Sequence, residues 1–296
     1  MDPWREKLET KQGVTFQLGT KVTGFKIDHD NRRLTHIQCS VAGQDEPLTI
    51  EADEVIFAVG AAALNAMVRY SPDLATLPDF RKFANLRGLS VLATRLFLDR
   101  HVPTPYTANA CWGFDKGVGM TFFNIKELHG NNFSEENVPG SVIEVDYYHA
   151  DSLLVMSDED IAKKAKSDLN TMLGIPCATA NVVDAAIVRL PNAVNWYFPG
   201  SYQDMPNLRS DSLNNVHFAG DLVKTRHGSW SQEKAFVTGI EVANSIRGLP
   251  LTEGIIPLPK DEPHVALGRS FVSAFHKLLT RNGGETAPPS FVDFLY

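Results

Sequence analysis

Asn215-Val216-His217-Phe218-Ala219-Gly220-Asp221, followed by Gly228-Ser229-Trp230-Ser231-Gln232-Glu233-Lys234-Ala235-Phe236-Val237-Thr238-Gly239, is the stretch that decides the fold. An apolar strand runs into a glycine, where backbone can approach a ligand closely because no Cβ intervenes. An aspartate follows at the strand's carboxyl end, the edge at which open α/β sheets bind ligands. A polar loop then feeds a helix from about Ser231 to Arg247, whose first N–H groups are open to an electron-rich ligand. Ser229 and Gln232 match a capping box, Phe236, Ile240 and Ala243 are expected to form the apolar face, and Gly248 with Pro250 ends the helix. Strand, glycine, aspartate, loop and helix also follow one another in α/β proteins that bind nothing there. The pattern alone therefore leaves both readings open.

The same grammar occurs upstream. In Ala52-Asp53-Glu54-Val55-Ile56-Phe57-Ala58-Val59-Gly60 the run Val55 to Val59 is continuously apolar, as expected of a parallel strand buried on both faces. Gly60 ends it, and residues 61–70 have helical composition. Before it lie four strand candidates: Val14 to Leu18, Lys21 to Ile27, Leu34 to Val41 and Leu48 to Ile50, with a turn cluster at Asp28 to Asn31. Met1 to Glu9 reads as a short polar helix with neither the charge pattern nor the apolar run of a targeting segment.

Between these α/β segments the pattern is mixed. Strands are predicted at Leu89 to Leu98, Met120 to Ile125, Ser141 to Tyr148 and Val182 to Arg189. Ser157 to Leu173 is an amphipathic helix with Asp158, Glu159 and Asp160 in its first turn and Ile161, Ala165, Leu169 and Leu173 along one stripe; Gly174 and Pro176 stop it. Pro199-Gly200 and Met205-Pro206 mark a loop. After a proline-rich stretch at 249–263, Val265 to Leu279 forms a second amphipathic helix, with Leu267, Phe271, Phe275 and Leu278 on one face and Lys277 and Arg281 near its end. That face can cover itself in two ways: by packing on its own domain or a partner subunit, or by weak peripheral contact with a bilayer surface.

The 296 residues carry 28 basic and 35 acidic side chains, a net charge of −7. That balance argues against a nucleic-acid partner, which needs a positive field. No run is long and apolar enough to span a bilayer. Cys39, Cys111 and Cys177 lie far apart, which suits a soluble protein of a reducing compartment: the cytoplasm, or a plastid in a plant or alga. The sequon Asn132-Phe133-Ser134 reads as a chance match. No G-x-S-x-G elbow, H-E-x-x-H, Walker A or metal-spaced histidine pair is present, and no metal is expected. Gly117-Val118-Gly119 lacks the third glycine of G-x-G-x-x-G and reads as a hairpin turn.

The decisive segment resembles the C-terminal flavin-binding motif of FAD-dependent amine oxidases and, more closely, of phytoene desaturase-like oxidoreductases. Ala219-Gly220-Asp221 matches the family's A-G-D strand end, and Ser231-Gln232-Glu233-Lys234-Ala235 its S-x-E-G-A helix start, with Lys234 in place of the usual glycine. Gly19-Thr20-Lys21-Val22-Thr23-Gly24-Phe25 is similar to a family strand, and Ala52 to Val59, including Ala58, to the strand that returns to the cofactor domain. The resemblance runs to about residue 248 and implies FAD as cofactor. It implies that the Val22 backbone holds adenine, that Gly220 allows close approach, and that Asp221 bonds the ribityl or pyrophosphate part. The backbone at Ser231, Gln232 and Glu233 would meet the pyrimidine edge of the flavin ring. The cofactor set is therefore Val22, Ala58, Gly220, Asp221, Ser231, Gln232 and Glu233. No catalytic acid or base is assigned; His227 is the titratable group nearest the motif, with a structural role as its other reading. Trp230 reads equally as a pocket wall or a core residue.

The expected fold class is α/β with an α+β admixture: an incomplete FAD/NAD(P)-binding Rossmann-like domain plus a mixed-sheet substrate domain. Residues 1–70 are the later part of the FAD domain, 71–211 the substrate domain, 212–248 the C-terminal FAD motif and 249–296 the tail. Family members carry roughly 200 residues, including the G-x-G-x-x-G βαβ unit, before the stretch at which this chain starts. The chain is thus expected to be the C-terminal part of a longer enzyme. The expected function is desaturase or amine-oxidase-type transfer of a hydride from a carbon of a small, hydrophobic substrate to flavin. Carotenoid-like polyene, amine and other lipid substrates all remain open. The alternative is a truncated, inactive fragment or a binding partner without FAD.

Overall fold

In the computed structural model, residues 3–111, 113–115, 117–130, 140–225, 227 and 231–280 are described. In chain order the helices are α1 (Pro3–Gln12), α2 (Ala61–Tyr70), α3 (Pro72–Thr76), α4 (Pro78–Phe83), α5 (Ile125–His129), α6 (Asp158–Leu173), α7 (Ile175–Ala178), α8 (Gln232–Arg247) and α9 (Pro263–Thr280). The strands are β1 (Thr20–Asp28), β2 (Arg33–Val41), β3 (Leu48–Glu51), β4 (Val55–Phe57), β5 (Gly88–Leu98), β6 (Ala108–Cys111), β7 (Gly119–Asn124), β8 (Val142–Tyr148), β9 (Val182–Asn195) and β10 (Val216–Phe218). They form two units: Met1–Val59 with Ala63–Leu86 and Tyr197–Tyr296, and Gly60–Ala62 with Arg87–Trp196. The mixed α/β class expected from the sequence is the class observed.

In the first unit, β1, β2 and β3 form an antiparallel meander. Asp28 makes the first turn by accepting from Asn31 N at 3.0 Å and Asn31 Nδ2 at 2.7 Å. The strand expected at Val14 to Leu18 is not formed. Its apolar side chains are exposed, and without a neighbouring ladder the β-rich composition cannot act.

β4 and β10 pair in parallel, with Phe57 opposite Phe218. Asn215 ties this pair to the meander. Its Oδ1 accepts from Leu34 N at 3.0 Å, and its Nδ2 donates to Leu34 O at 2.9 Å and Asp53 O at 3.1 Å. On one side Phe57 and Phe218 stack with ring centroids 5.6 Å apart and join Phe25, Phe80 and Phe83 in an aromatic core. Burial on both faces of β4 is not observed: Ile56 is 47% exposed. A two-stranded sheet covers only the face that meets the aromatic core.

α8 corrects two further expectations. Its N-cap is Ser231, whose Oγ accepts from Lys234 N at 3.0 Å; Ser229, Gly228 and Trp230 lie outside the described residues. Its buried positions are Lys234, Val237, Thr238, Val242 and Asn244, whereas Phe236 and Ala243 are exposed and Ile240 is half-buried. The buried side follows from polar anchoring, since Thr238 bonds the turn after β10. Gly248 ends the helix as expected, with a φ of 68° that favours glycine.

On α9, Leu267 and Phe271 are each 73% exposed, and Phe275 is exposed as well. The described residues do not cover the apolar face that the sequence predicts. The side chains of Lys277 and Leu278, and Arg281 altogether, lie outside them. Among the described residues no helix is long and apolar enough to cross a membrane.

The second unit is a five-stranded sheet ordered β6-β7-β8-β5-β9, with antiparallel ladders throughout. Period-2 alternation sends Leu92, Leu96, Ile143, Val145 and Tyr147 to one face, where they bury Ile161, Ala165 and Leu169 of α6. Each fully buried leucine contributes roughly 1.5–3 kcal/mol. Ser157 caps α6 by accepting from Asp160 N at 3.2 Å, and Tyr147 donates to Asp168 Oδ2 at 2.6 Å. The other face carries Arg95, Glu144 and Asp146, all half-buried. Gly117 and Val118 lie in the β6–β7 connection, while the sequon at 132–134 is outside the described residues.

Candidate functional site

The parallel register of β4 and β10 brings their carboxyl ends side by side. Ala219 N donates to Phe57 O at 3.1 Å, which places exposed Ala58 next to the start of the Gly220 turn. Gly220 has a φ of 117°, a conformation that a side chain would strain, and a Cβ built there would meet nothing within 4 Å. The backbone turns sharply and leaves open space beside it. Its N–H is not free for a ligand, because it donates to Thr238 Oγ1 at 2.9 Å. Asp221 follows, half-buried, with its carbonyl accepting from Tyr197 Oη at 2.8 Å.

The first turn of α8 completes the arrangement. Ser231 satisfies the N–H of Lys234 through its hydroxyl and that of Ala235 through its carbonyl, the latter at 3.1 Å. The N–H groups of exposed Gln232 and Glu233 have no acceptor among the described residues. They lie at the positive end of a 16-residue helix, where the dipole favours negative charge. Lys234 is only 3% exposed. Its Nζ lies 5.9 Å from the centroid of the Tyr197 ring. Burial pushes the ammonium below the usual lysine range, and the charge of Asp221 opposes that shift.

The structure thus gathers Gly220, Asp221, Ser231, Gln232 and Glu233 around one turn and one helix start, with Ala58 just past the end of the adjoining strand β4. Val22 stands elsewhere, on the antiparallel meander. It lines a cavity of about 540 Å³ between β1 and α2, with Phe25, Ala63, Ala66, Met67 and Tyr70 among the other walls. The β1–β2 register slips between Val22 and Gly24, a bulge that interrupts the ladder at the cavity wall. His227 is half-buried, its Nε2 3.8 Å from Glu241 Oε1, and burial pushes the Glu241 carboxyl up. Among the described residues no group of three or more His, Cys, Asp or Glu side chains could hold a metal ion.

Sequence reasoning missed Thr238, Tyr197 and the burial of Lys234. The departure from glycine at Lys234 was a visible signal; Thr238 and Tyr197 gave none, because their role depends on tertiary contact. The residues present fit an electron-rich, flat cofactor. Gly220 leaves space, and the Gln232 and Glu233 N–H groups lack acceptors among the described residues.

Strand carboxyl ends that meet a glycine turn and a helix N-terminus form the edge at which open α/β sheets take their ligands. The chain belongs to the flavin containing amine oxidoreductase family, whose sequence model matches residues 1–247. Family membership implies a flavin cofactor. A solved structure from Exiguobacterium sp. 255-15, provisionally described as a protoporphyrinogen oxidase, is similar at 15% identity and a TM-score of 0.54 over 77% of this chain and 46% of that one. An oxidoreductase from Methanosarcina mazei matches at 13% identity and a TM-score of 0.44, over 77% of this chain and 49% of that one. The first likeness bears on the fold. The chain spans about half the length of either structure. No curated protein matches it.

Proposed function

We propose that this chain serves an FAD-dependent oxidoreductase of the desaturase or amine-oxidase type, acting on a small hydrophobic substrate. The observation that carries the reading is the Gly220–Asp221 turn fastened by Thr238 to α8, with the Gln232 and Glu233 N–H groups unengaged. When bound, FAD supplies the two-electron chemistry, taking a hydride from a substrate carbon. The chain's own residues bind and orient it. Asp221 accepts from the ribityl hydroxyls, next to the pyrophosphate part, and Gly220 and Ala58 let backbone approach. The N–H groups after Ser231, at Gln232 and Glu233, meet the pyrimidine edge. The backbone at Val22, beside its apolar cavity, holds adenine. The first unit, which holds residues 71–86 and 197–211 as well as β4, β10 and α8, makes the cofactor side, and Arg87–Trp196 the substrate side. The resemblance to desaturase-like enzymes supports the hydrophobic substrate.

The test is a visible spectrum of the purified chain, followed by heat release and chromatography of any bound flavin. Absorption at about 375 and 450 nm, the bands of any flavin, and release of FAD support the reading. Release of FMN alone contradicts FAD. A colourless, folded chain that takes up no added FAD establishes the alternative, a binding partner or inactive fragment.

A further inference from the structure

A buried ammonium is costly unless something negative meets it. Lys234 is 3% exposed, and its Nζ makes no hydrogen bond within the described residues. Its near surroundings are the face of Tyr197, at 5.9 Å, and the charge of Asp221. A ring face attracts a cation only weakly and satisfies none of its three donors. Lys234 stands on the first turn of α8, as do the two N–H groups without acceptors, and Thr238 fastens that turn to Gly220. The ammonium and the unengaged N–H groups, which carry the positive end of the helix dipole, are therefore two sources of positive potential in the first turn of α8.

We infer that Lys234 is the counter-charge for the reduced flavin, pairing with the negative charge that the pyrimidine ring gains on two-electron reduction. This rests on the FAD reading above. The oxidised ring is neutral, so an ammonium there discriminates between the two oxidation states, and any such differential binding appears as a shift of potential. The pyrophosphate is equally charged in both states; a lysine that served it would change affinity and leave the potential alone. Asp221 limits the field in the oxidised state by keeping the ammonium partly compensated. It also explains how a charged lysine occupies a position where the family motif has glycine.

The experiment is reductive titration of the full chain loaded with FAD, against a reference dye, for the wild type, Lys234→Met, Lys234→Gln and Lys234→Arg. A parallel fluorescence titration gives the affinity of each for oxidised FAD. Lys234→Met and Lys234→Gln should lose at least about tenfold of the preference for reduced over oxidised flavin, a fall of about 30 mV in a two-electron midpoint potential. Their affinity for oxidised FAD should stay within about threefold of wild type. Lys234→Arg keeps the charge and should keep the potential; it also serves if the neutral variants fail to fold. An unchanged potential in a folded neutral variant, or a loss of FAD affinity without a change of potential, overturns the inference and leaves the FAD reading intact. A wild-type chain that takes up no FAD overturns both.

Discussion

Thr238 holds Gly220 at both of its backbone polar atoms: Gly220 N donates to Thr238 Oγ1 at 2.9 Å, and the hydroxyl lies 3.1 Å from Gly220 O. The same hydroxyl is 3.0 Å from the carbonyls of Lys234 and Ala235, so one fully buried side chain joins the strand-end turn to the first turns of α8. Thr238→Val preserves shape and strands the Gly220 N–H. We expect a loss of about 1–3 kcal/mol in urea denaturation and weaker flavin retention. An unchanged midpoint and occupancy would show that the hydroxyl does not hold the turn.

Asp79 organises the loop before β10. Its Oδ2 accepts from Ser210 Oγ at 2.5 Å and from Asp211 N at 3.0 Å, and its Oδ1 accepts from the Ser212 hydroxyl. Bonds to a carboxylate are about twice as strong as neutral ones. Asp79→Ala should lower stability by about 2 kcal/mol and speed amide exchange at Asp211 and Ser212. Exchange at wild-type rates in the variant would contradict this.

Asp146 gives the second unit a pH dependence. Burial, helped by the charge of Glu144 and opposed by Arg95, pushes its carboxyl from 3.8 up to about 6. The folded state therefore binds this proton more tightly than the unfolded state does. Stability contributed by the protonated form is present below 3.8 and is lost as pH rises through about 6. Asp146→Asn should stabilise the protein by about 1 kcal/mol at about pH 8, after discounting for solvent screening, and should flatten the slope between those two values. A variant with the wild-type slope would place the titration on another group.

Much of this architecture is legible in the sequence because it rests on local period. Leu34 to Val41 alternates and becomes β2, while Ile161, Ala165 and Leu169 recur at helical spacing and are buried on α6. Ala219-Gly220-Asp221 shows the turn, since a glycine at a strand's carboxyl end is a local signal. What the sequence hid was set by tertiary partners. Val14 to Leu18 has strand composition and no ladder; Ile56 has core composition and no covering layer. On α8 the apolar residue Phe236 is 60% exposed, while Lys234 and Thr238 are buried by the turn they serve. Asn215 substitutes for ladder hydrogen bonds across 181 residues, a role no window of sequence reveals.

The most direct measurement of the central claim, that FAD is held at the Gly220–Asp221 turn, is an equilibrium titration of the purified chain with FAD. It compares wild type with Asp221→Ala by flavin fluorescence. The account predicts saturable binding by wild type and at least about a tenfold rise in Kd for the variant, about 1.4 kcal/mol for a lost hydrogen bond to the cofactor. Equal affinity in the two proteins would contradict the placement of the site, and a wild-type chain that binds no FAD would contradict the function proposed for it.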